Sequence, residues 1–100
     1  MDNEIDLHSE LQRLNPAEII ISESFDTQKL PKNIQARTDI RIRLFITDPF
    51  NEILRNHPLS GEYSGCRSIN ITGDYRIIYE ENEGIIEFLL IGTHDELYGN

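Results

Sequence analysis

The sequence has little of several features on which other classes of protein depend. It holds one cysteine, Cys66, which excludes an intramolecular disulfide framework and a multi-cysteine zinc site. We expect this lone thiol to pack as a small buried hydrophobe rather than to act as a nucleophile. No apolar run approaches the ~20 residues that a helix needs to cross a bilayer. The first residues are acidic where a secretory signal would be basic, so we expect no export and a reducing, cytoplasmic location.

Sequence motifs of several enzyme classes are also missing. The three histidines show none of the HxH, HxxH or HExxH spacings of metal sites. There is no glycine-rich phosphate loop and no GxSxG motif. The sequence therefore predicts neither a metal nor a cofactor, and it does not support nucleotide hydrolysis.

Positive charge is scarce and unevenly placed. Nine basic residues stand against 18 acidic ones, for a formal net charge of −9, which argues against long-range attraction to nucleic acid. Residues 25–61, however, carry six bases and four acids, whereas both flanking stretches are acidic. A local cationic site remains compatible with this negative net charge, because charges more than ~8–10 Å apart are largely screened at cellular salt.

The length of 100 residues predicts one domain, which we place at residues 18–100. Residues 1–17 are predicted to be an N-terminal extension. In it, Ile5, Leu7, Leu11 and Leu14 have helix-compatible spacing, and Asn15-Pro16 would end such a helix. A short helix packed on the domain and a mobile tail both remain open.

The first part of the domain is predicted to be a strand and two helices. The run Glu18–Ser22 contains three consecutive isoleucines and favours a strand buried on both faces. A short helical turn is expected over Phe25–Leu30 and a long helix from Pro31 to just before Asp48. Within the latter, Ile40–Leu44 alternates with period two, so periodicity alone leaves helix and strand open; length and the proline start favour a helix.

A three-stranded meander is expected after the turns at Asp48-Pro49 and His57-Pro58. Its strands are predicted at residues 62–71, 75–80 and 85–91, joined by hairpins at Thr72–Asp74 and Glu81–Gly84 in which glycine takes a positive φ. The whole pattern predicts an α+β domain, with the N-terminal strand and a helical hairpin packed on a largely antiparallel sheet.

The candidate chemistry is distributed along the chain. Arg67, Asp74, Arg76 and His94 are expected to meet on one side of the meander, with His57 just before it. Two imidazoles and a guanidinium suit phosphodiester transesterification: one imidazole accepts the proton of a ribose 2′-hydroxyl, the other protonates the departing 5′-oxygen, and arginine holds the charge on phosphorus. A tyrosine such as Tyr98 can stack on an unpaired base. From spacing alone, each of these residues could equally serve the local structure.

Two segments resemble a known group of proteins. The run from Asn56 to Glu80, with its HPLSG and DYRIIY motifs, and the run from Leu89 to Tyr98, with IGTHDELY, resemble the RelE/ParE toxin superfamily and most closely its YafQ-like branch. The similarity covers about residues 18–98 and extends upstream through the predicted helices. It implies a RelE-like fold, with a helix over Ile40–Leu44.

The resemblance also implies an activity. Members of this branch are toxins of type II toxin–antitoxin pairs: ribosome-dependent endoribonucleases that cleave mRNA without metal by 2′-hydroxyl attack. The expected partners are a cognate antitoxin, the ribosome and mRNA, with no membrane and no metal. The alternatives are a ParE-like gyrase inhibitor and a catalytically silent relative that only binds its antitoxin.

The resemblance assigns roles to individual residues. His94 matches the terminal catalytic histidine and is predicted to be the general acid, with His57 or Asp74 as the base. Arg67 is the expected phosphate holder. Asn70 departs from the pattern, since the branch can carry a further histidine there and an amide cannot shuttle a proton.

A second set of residues is predicted to bind RNA. A local basic face is expected from helix residues and nearby arginines, and two strand residues would add to it. The predicted RNA-binding residues are Arg37, Arg41, Arg55, Tyr75 and Arg76, and the predicted catalytic residues are His57, Arg67, Asp74, His94 and Tyr98.

Overall fold

The computed structural model describes residues 18–99, so the predicted N-terminal extension at 1–17 lies outside the described residues. The helices and strands are β1 (Glu18–Ile21), α1 (Lys32–Thr47), β2 (His57–Pro58), β3 (Arg67–Asn70), β4 (Tyr75–Asn82), β5 (Ile85–Thr93) and α2 (His94–Tyr98). Two 3₁₀ turns, Glu52–Leu54 and Gly61–Tyr63, flank β2. No helix between residues 18 and 99 has the length and apolarity to cross a membrane.

The strands form one sheet in the order β1-β5-β4-β3-β2. β1 runs parallel to β5, and the other neighbours pair in antiparallel fashion. The register of β4 and β5 shifts by a bulge between Ile78 and Tyr79. The α+β class and the largely antiparallel sheet are therefore confirmed.

Helix α1 begins directly after Pro31 and contains the alternating segment Ile40–Leu44. Its inner face carries Thr38 and Phe45, whose side chains are buried. The Thr38 hydroxyl donates to the carbonyl of Ile34 at 2.7 Å, which satisfies a polar group that would otherwise be costly to bury. Here the 3.6-residue period of the apolar face outweighs the local alternation.

The first helix of the predicted hairpin is not formed. The segment Phe25–Leu30 is irregular apart from one turn at Gln28–Lys29, and α1 is the helix that follows it. The Asp26 side chain accepts from the Gln28 N–H at 3.0 Å, and such local bonds compete with a helix too short to offset its nucleation cost. Phe25 is nevertheless buried, and its ring centroid lies 5.5 Å from that of Phe88.

Strand β1 is also placed differently from the prediction. It has one neighbour, β5, and so forms an edge of the sheet. Ile19 packs against the core, but Ile20 and Ile21 are 40% and 55% exposed. Burial on both faces was wrong because an apolar run does not show whether a strand is central or at an edge.

Both faces of the central sheet are covered. On one face α1 packs over a core that includes Phe45, Tyr79 and Phe88, with Phe45 and Tyr79 edge-to-face at 4.9 Å. On the other face, α2 and the 61–63 turn cover a smaller cluster of Cys66, Ile78 and Leu97. The packing role predicted for Cys66 is confirmed, and burial raises the pKa of its thiol.

The meander matches its predicted order with shifted limits. The strand expected from residue 62 starts only at Arg67, because Gly61–Tyr63 is a 3₁₀ turn. Of the two hairpin glycines, Gly84 has a φ of +83°, as predicted. Gly73 is not among the positive-φ residues of the described chain, so that part of the prediction was wrong.

Candidate active site

A cleft of about 680 Å³ opens where β2, the starts of β4 and α2, and the ends of β3 and β5 converge. Basic, amide, apolar and aromatic side chains line it: Arg55, Asn56, His57, Leu59, Asn70, Arg76, His94 and Tyr98. Among these residues there is no carboxylate. In a protein with an excess of acids, this cleft therefore brings together two imidazoles and two guanidinia.

The structure gives His57 a defined tautomer. Its Nδ1 lies 2.7 Å from the carbonyl oxygen of Arg55, and a carbonyl only accepts hydrogen bonds. The neutral ring therefore carries its proton on Nδ1 and keeps the lone pair on Nε2. Arg55 adopts a left-handed conformation (φ 48°, ψ 45°) that is uncommon for a residue with a side chain. A neutral Nε2 at the edge of a cleft is the form of imidazole that a general base requires.

His94 is held at the first turn of α2. The Thr93 hydroxyl accepts from the Glu96 N–H at 3.2 Å, and the Glu96 carboxylate accepts from the Thr93 N–H at 2.8 Å. This capping box fixes the start of the helix. The backbone N–H of His94 also donates to the carbonyl of Asp74 at 3.0 Å, which ties the helix to the first meander hairpin.

Tyr98 follows His94 by one helical turn, and their ring centroids are 4.7 Å apart. Tyr63 packs edge-to-face on Tyr98 at 5.8 Å and donates its hydroxyl hydrogen to the carbonyl of Leu97 at 2.8 Å. Burial is the main cause that raises the pKa of Tyr63. The aromatic wall of the cleft is thus supported from behind.

Arg76 and Asn70 are register partners on adjacent strands and both line the cleft. The Arg76 Nη1 donates to carbonyls of the first meander hairpin, most closely that of Gly73 at 3.0 Å. No carboxylate within residues 18–99 forms an ion pair with Arg76. A guanidinium anchored by neutral carbonyls keeps its charge available for an anion.

The position of Arg67 differs from the prediction. Successive strand residues face opposite sides, so Arg67 and Ile69 face α1, whereas Asn70 faces the cleft. The Arg67 Nε donates to the Asn56 Oδ1 at 2.7 Å, and the guanidinium lies 5.2 Å from the centre of the Phe50 ring. Arg67 is therefore behind the wall of the cleft, and the expectation that it would meet Arg76 and His94 on one side of the sheet was wrong.

Asp74 and Tyr75 are near the cleft without lining it. Asp74 is linked to His94 by the backbone hydrogen bond described above, and its side chain is exposed. Tyr75 packs against the core beneath α1, on the opposite face from Arg76. Strand alternation gives the reason for Tyr75, since Tyr75 and Arg76 are adjacent residues of β4 and face opposite sides of the sheet.

The predicted basic residues divide into two groups. Arg55 lines the cleft. Arg37 and Arg41 lie on α1, which packs on the other face of the sheet, and neither lines the cleft. A further helix arginine, Arg43, pairs with Asp39 at 3.3 Å.

Sequence reasoning missed three residues at this site. Asn56 and Leu59 line the cleft, and the only signal in the sequence was their position beside His57. Ser68 is the register partner of His57, is fully buried, and its hydroxyl has no hydrogen-bond partner among the described residues. Nothing in the sequence pattern distinguishes a buried unsatisfied serine from a satisfied one.

No group of three potential metal ligands is found in the part of the chain that the structure describes.

The fold is that of known bacterial toxins. The structure of YafQ from Escherichia coli BL21(DE3) superposes with a TM-score of 0.71 at 24% identity, covering 81% of this chain and 97% of that one. YafQ in the E. coli DinJ–YafQ toxin–antitoxin complex gives a TM-score of 0.69 at 26% identity, covering 81% and 96%.

Sequence comparison also identifies YafQ toxins as relatives. The mRNA interferase toxin YafQ of E. coli strain K12 is 32% identical over 53 residues, which span 53% of this chain and 58% of that relative. A family model described as the bacterial toxin of a type II toxin–antitoxin system, YafQ, matches residues 20–99. The chain belongs to this YafQ toxin family.

Proposed function

We propose that this protein is the toxin of a type II toxin–antitoxin system and an endoribonuclease that cleaves mRNA on the ribosome. The observation that carries the proposal is a single cleft lined by two imidazoles and two guanidinia with no carboxylate among its lining residues. Membership of the YafQ family, and the mRNA interferase named among its relatives, support the choice of substrate.

In the proposed reaction the RNA is cleaved by its own ribose. His57 accepts the 2′-hydroxyl proton at Nε2 as the 2′-oxygen attacks phosphorus. The bond from phosphorus to the 5′-oxygen breaks, and His94 donates a proton to that oxygen. The products are a 2′,3′-cyclic phosphate and a free 5′-hydroxyl, and no metal takes part.

The charge that develops on phosphorus needs a donor inside the cleft. We assign this role to Arg76 in place of Arg67, because Arg76 lines the cleft and has no ion-pair partner among the described residues. Tyr98 would stack on an unpaired base and Arg55 would contact a flanking phosphate. Asn70 can orient a phosphate or a ribose but cannot transfer a proton at neutral pH.

The partners follow from the same proposal. An antitoxin is expected to neutralise the protein, as DinJ accompanies YafQ in the E. coli complex. The ribosome would present the mRNA, and cytoplasmic expression would place the toxin with translating ribosomes.

The test is regulated expression followed by primer extension of abundant mRNAs. We expect in-frame cuts that are abolished by His94→Ala and retained in Asn82→Ala, an exposed hairpin variant remote from the cleft. Purified protein should cut mRNA on programmed ribosomes in the presence of EDTA. The downstream fragments should carry 5′-hydroxyl ends, which can be ligated only after phosphorylation.

Three results would contradict the proposal in different ways. Growth arrest with intact mRNA and a DNA-damage response would indicate a gyrase inhibitor. No growth effect, with retained antitoxin binding, would indicate a silent relative. Equal cleavage of naked RNA would reject the dependence on the ribosome while leaving the nuclease in place.

A further inference from the structure

The side chain of Asn56 makes three hydrogen bonds behind the cleft, through both hydrogens of its amide nitrogen and through its carbonyl oxygen. Its Nδ2 donates to the carbonyl of Pro49 and to the hydroxyl oxygen of Tyr79, each at 2.8 Å. Its Oδ1 accepts from the Nε of Arg67 at 2.7 Å. Asn56 is half-buried, and each of its three partners lies at least seven residues away along the chain.

These three partners lie on separate parts of the fold. Pro49 follows the end of α1, Arg67 is on β3, and Tyr79 is on β4 and 2% exposed. The Arg67 guanidinium is itself packed over Phe50. Asn56 therefore fastens the segment before β2 to the helix end and to two strands of the sheet.

His57 depends on this attachment more than other cleft residues do. It lies in a strand of two residues at the edge of the sheet, and its side chain is exposed. Its described side-chain hydrogen bond goes to the carbonyl of Arg55, two residues earlier. Asn56 is the residue between this carbonyl and this ring, so its release loosens one against the other, although β2 stays paired with β3 and Leu54 stays buried in the core.

We propose that Asn56 is a positioning residue for His57, and that Arg67 and Tyr79 act through it rather than on RNA. The inference rests on the proposed function, because it takes His57 as the base. It replaces the expectation that Arg67 holds the phosphate. A positioning role predicts a loss in kcat, because the ring must lie in line with the 2′-hydroxyl only at the moment of proton transfer.

The decisive variant is Tyr79→Phe, because that hydroxyl is buried and does not line the cleft. We expect kcat for ribosome-bound mRNA to fall about tenfold or more while KM changes less than about twofold. Asn56→Ala should show a larger loss of the same kind, and adding Tyr79→Phe to it should cause little further change. Asn56→Asp should be partly active, since it can still accept from Arg67 and from the Tyr79 hydroxyl.

Ile77→Val is the matched control. It is a conservative change in a buried residue on the same strand and face as Tyr79, without a polar link to Asn56. If Tyr79→Phe cleaves like Ile77→Val at equal folded fraction, the positioning role is rejected. A rise in KM alone would indicate instead that Arg67 or Asn56 contacts RNA.

A second readout separates this inference from the proposed function. Nitrogen NMR of the His57 ring should show the Nδ1-protonated tautomer in the wild type and a mixture in Asn56→Ala. If the wild type cuts no RNA but the tautomer still shifts, the network stands and the nuclease proposal fails. An unchanged tautomer in Asn56→Ala, whatever the activity, would overturn the inference.

Discussion

At the scale of single residues, the two histidines of the cleft are held in different ways. His57 is oriented by one carbonyl from a left-handed Arg55, whereas His94 is placed by a capped helix turn and a bond from its backbone to Asp74. The first arrangement leaves Nε2 with a lone pair, and the second leaves the ring on an exposed helix turn. The proposed division into base and acid rests on this difference.

Ser68 provides a prediction about stability at the same scale. A buried hydroxyl without a partner costs about 1–3 kcal/mol, and a methyl group would not carry that cost. Ser68→Ala is therefore expected to raise the free energy of unfolding by about 1 kcal/mol, measured by chemical denaturation. Ser60→Ala, in an exposed loop, should leave it within about 0.5 kcal/mol.

RNA cleavage by the Ser68→Ala variant tests whether this hydroxyl also has a part in the reaction. Strained or unsatisfied groups often persist at functional sites, and Ser68 is opposite His57 in register. Greater stability with unchanged cleavage would mean that the hydroxyl has no part in the reaction. A destabilised Ser68→Ala would show that the hydroxyl has a stabilising role that its surroundings do not reveal.

At the scale of elements, α2 matters mainly through its first turn. It has five residues, too few to be stable alone, so its geometry depends on the capping box and on Leu97, which is buried against the sheet. The same short helix carries His94 and Tyr98, and loosening its start would move both rings relative to the cleft.

Thr93→Ala is expected to remove the cap and to cost about 1 kcal/mol of stability. It should also lower kcat for cleavage, because His94 is the next residue. Thr93→Ser keeps the hydroxyl and is expected to restore both properties, which thermal denaturation and cleavage assays can check in parallel. Equal activity of the alanine and serine variants would show that the cap does not position His94.

At the scale of the whole molecule, charge is segregated. The net charge of −9 coexists with a cleft that no described carboxylate lines. Other acids lie away from it, for example Glu81 and Glu83 in the hairpin at the far end of β4, whereas the Asp95 carboxylate is 3.7 Å from the Nδ1 of His94. Because the Debye length is about 8 Å at cellular salt, the cleft can attract phosphate locally despite the total.

The basic residues of α1 allow a test of how far this local attraction extends. Arg37→Glu and Arg41→Glu are each expected to weaken ribosome binding and to lower the salt dependence of log Kd by about one, as loss of a phosphate contact does. Lys29→Glu changes the net charge equally and is 86% exposed, but lies in the turn before α1. Equal losses in all three variants would show that net charge is responsible and that α1 makes no specific contact.

Local sequence signals were sufficient for most of the fold. The proline before α1 and the glycine of the Glu81–Gly84 hairpin each predict a local structure, because their effect is limited to the residues next to them. The helical turn predicted over Phe25–Leu30 does not form. The hydrogen bond that the Asp26 side chain accepts from the Gln28 N–H competes with a helix of such marginal length.

The sequence by itself determined α1, the order of the meander strands, the α+β class and, through its motifs, the resemblance to the family. Tertiary structure alone decided that β1 lies at an edge, that Arg67 faces α1 while Arg76 faces the cleft, and that Asn56 joins two strands to the segment before His57. The reason is physical: propensity and periodicity report on neighbours along the chain. Facing direction, edge position and long-range hydrogen bonds depend on strand order and register, which only the assembled sheet defines.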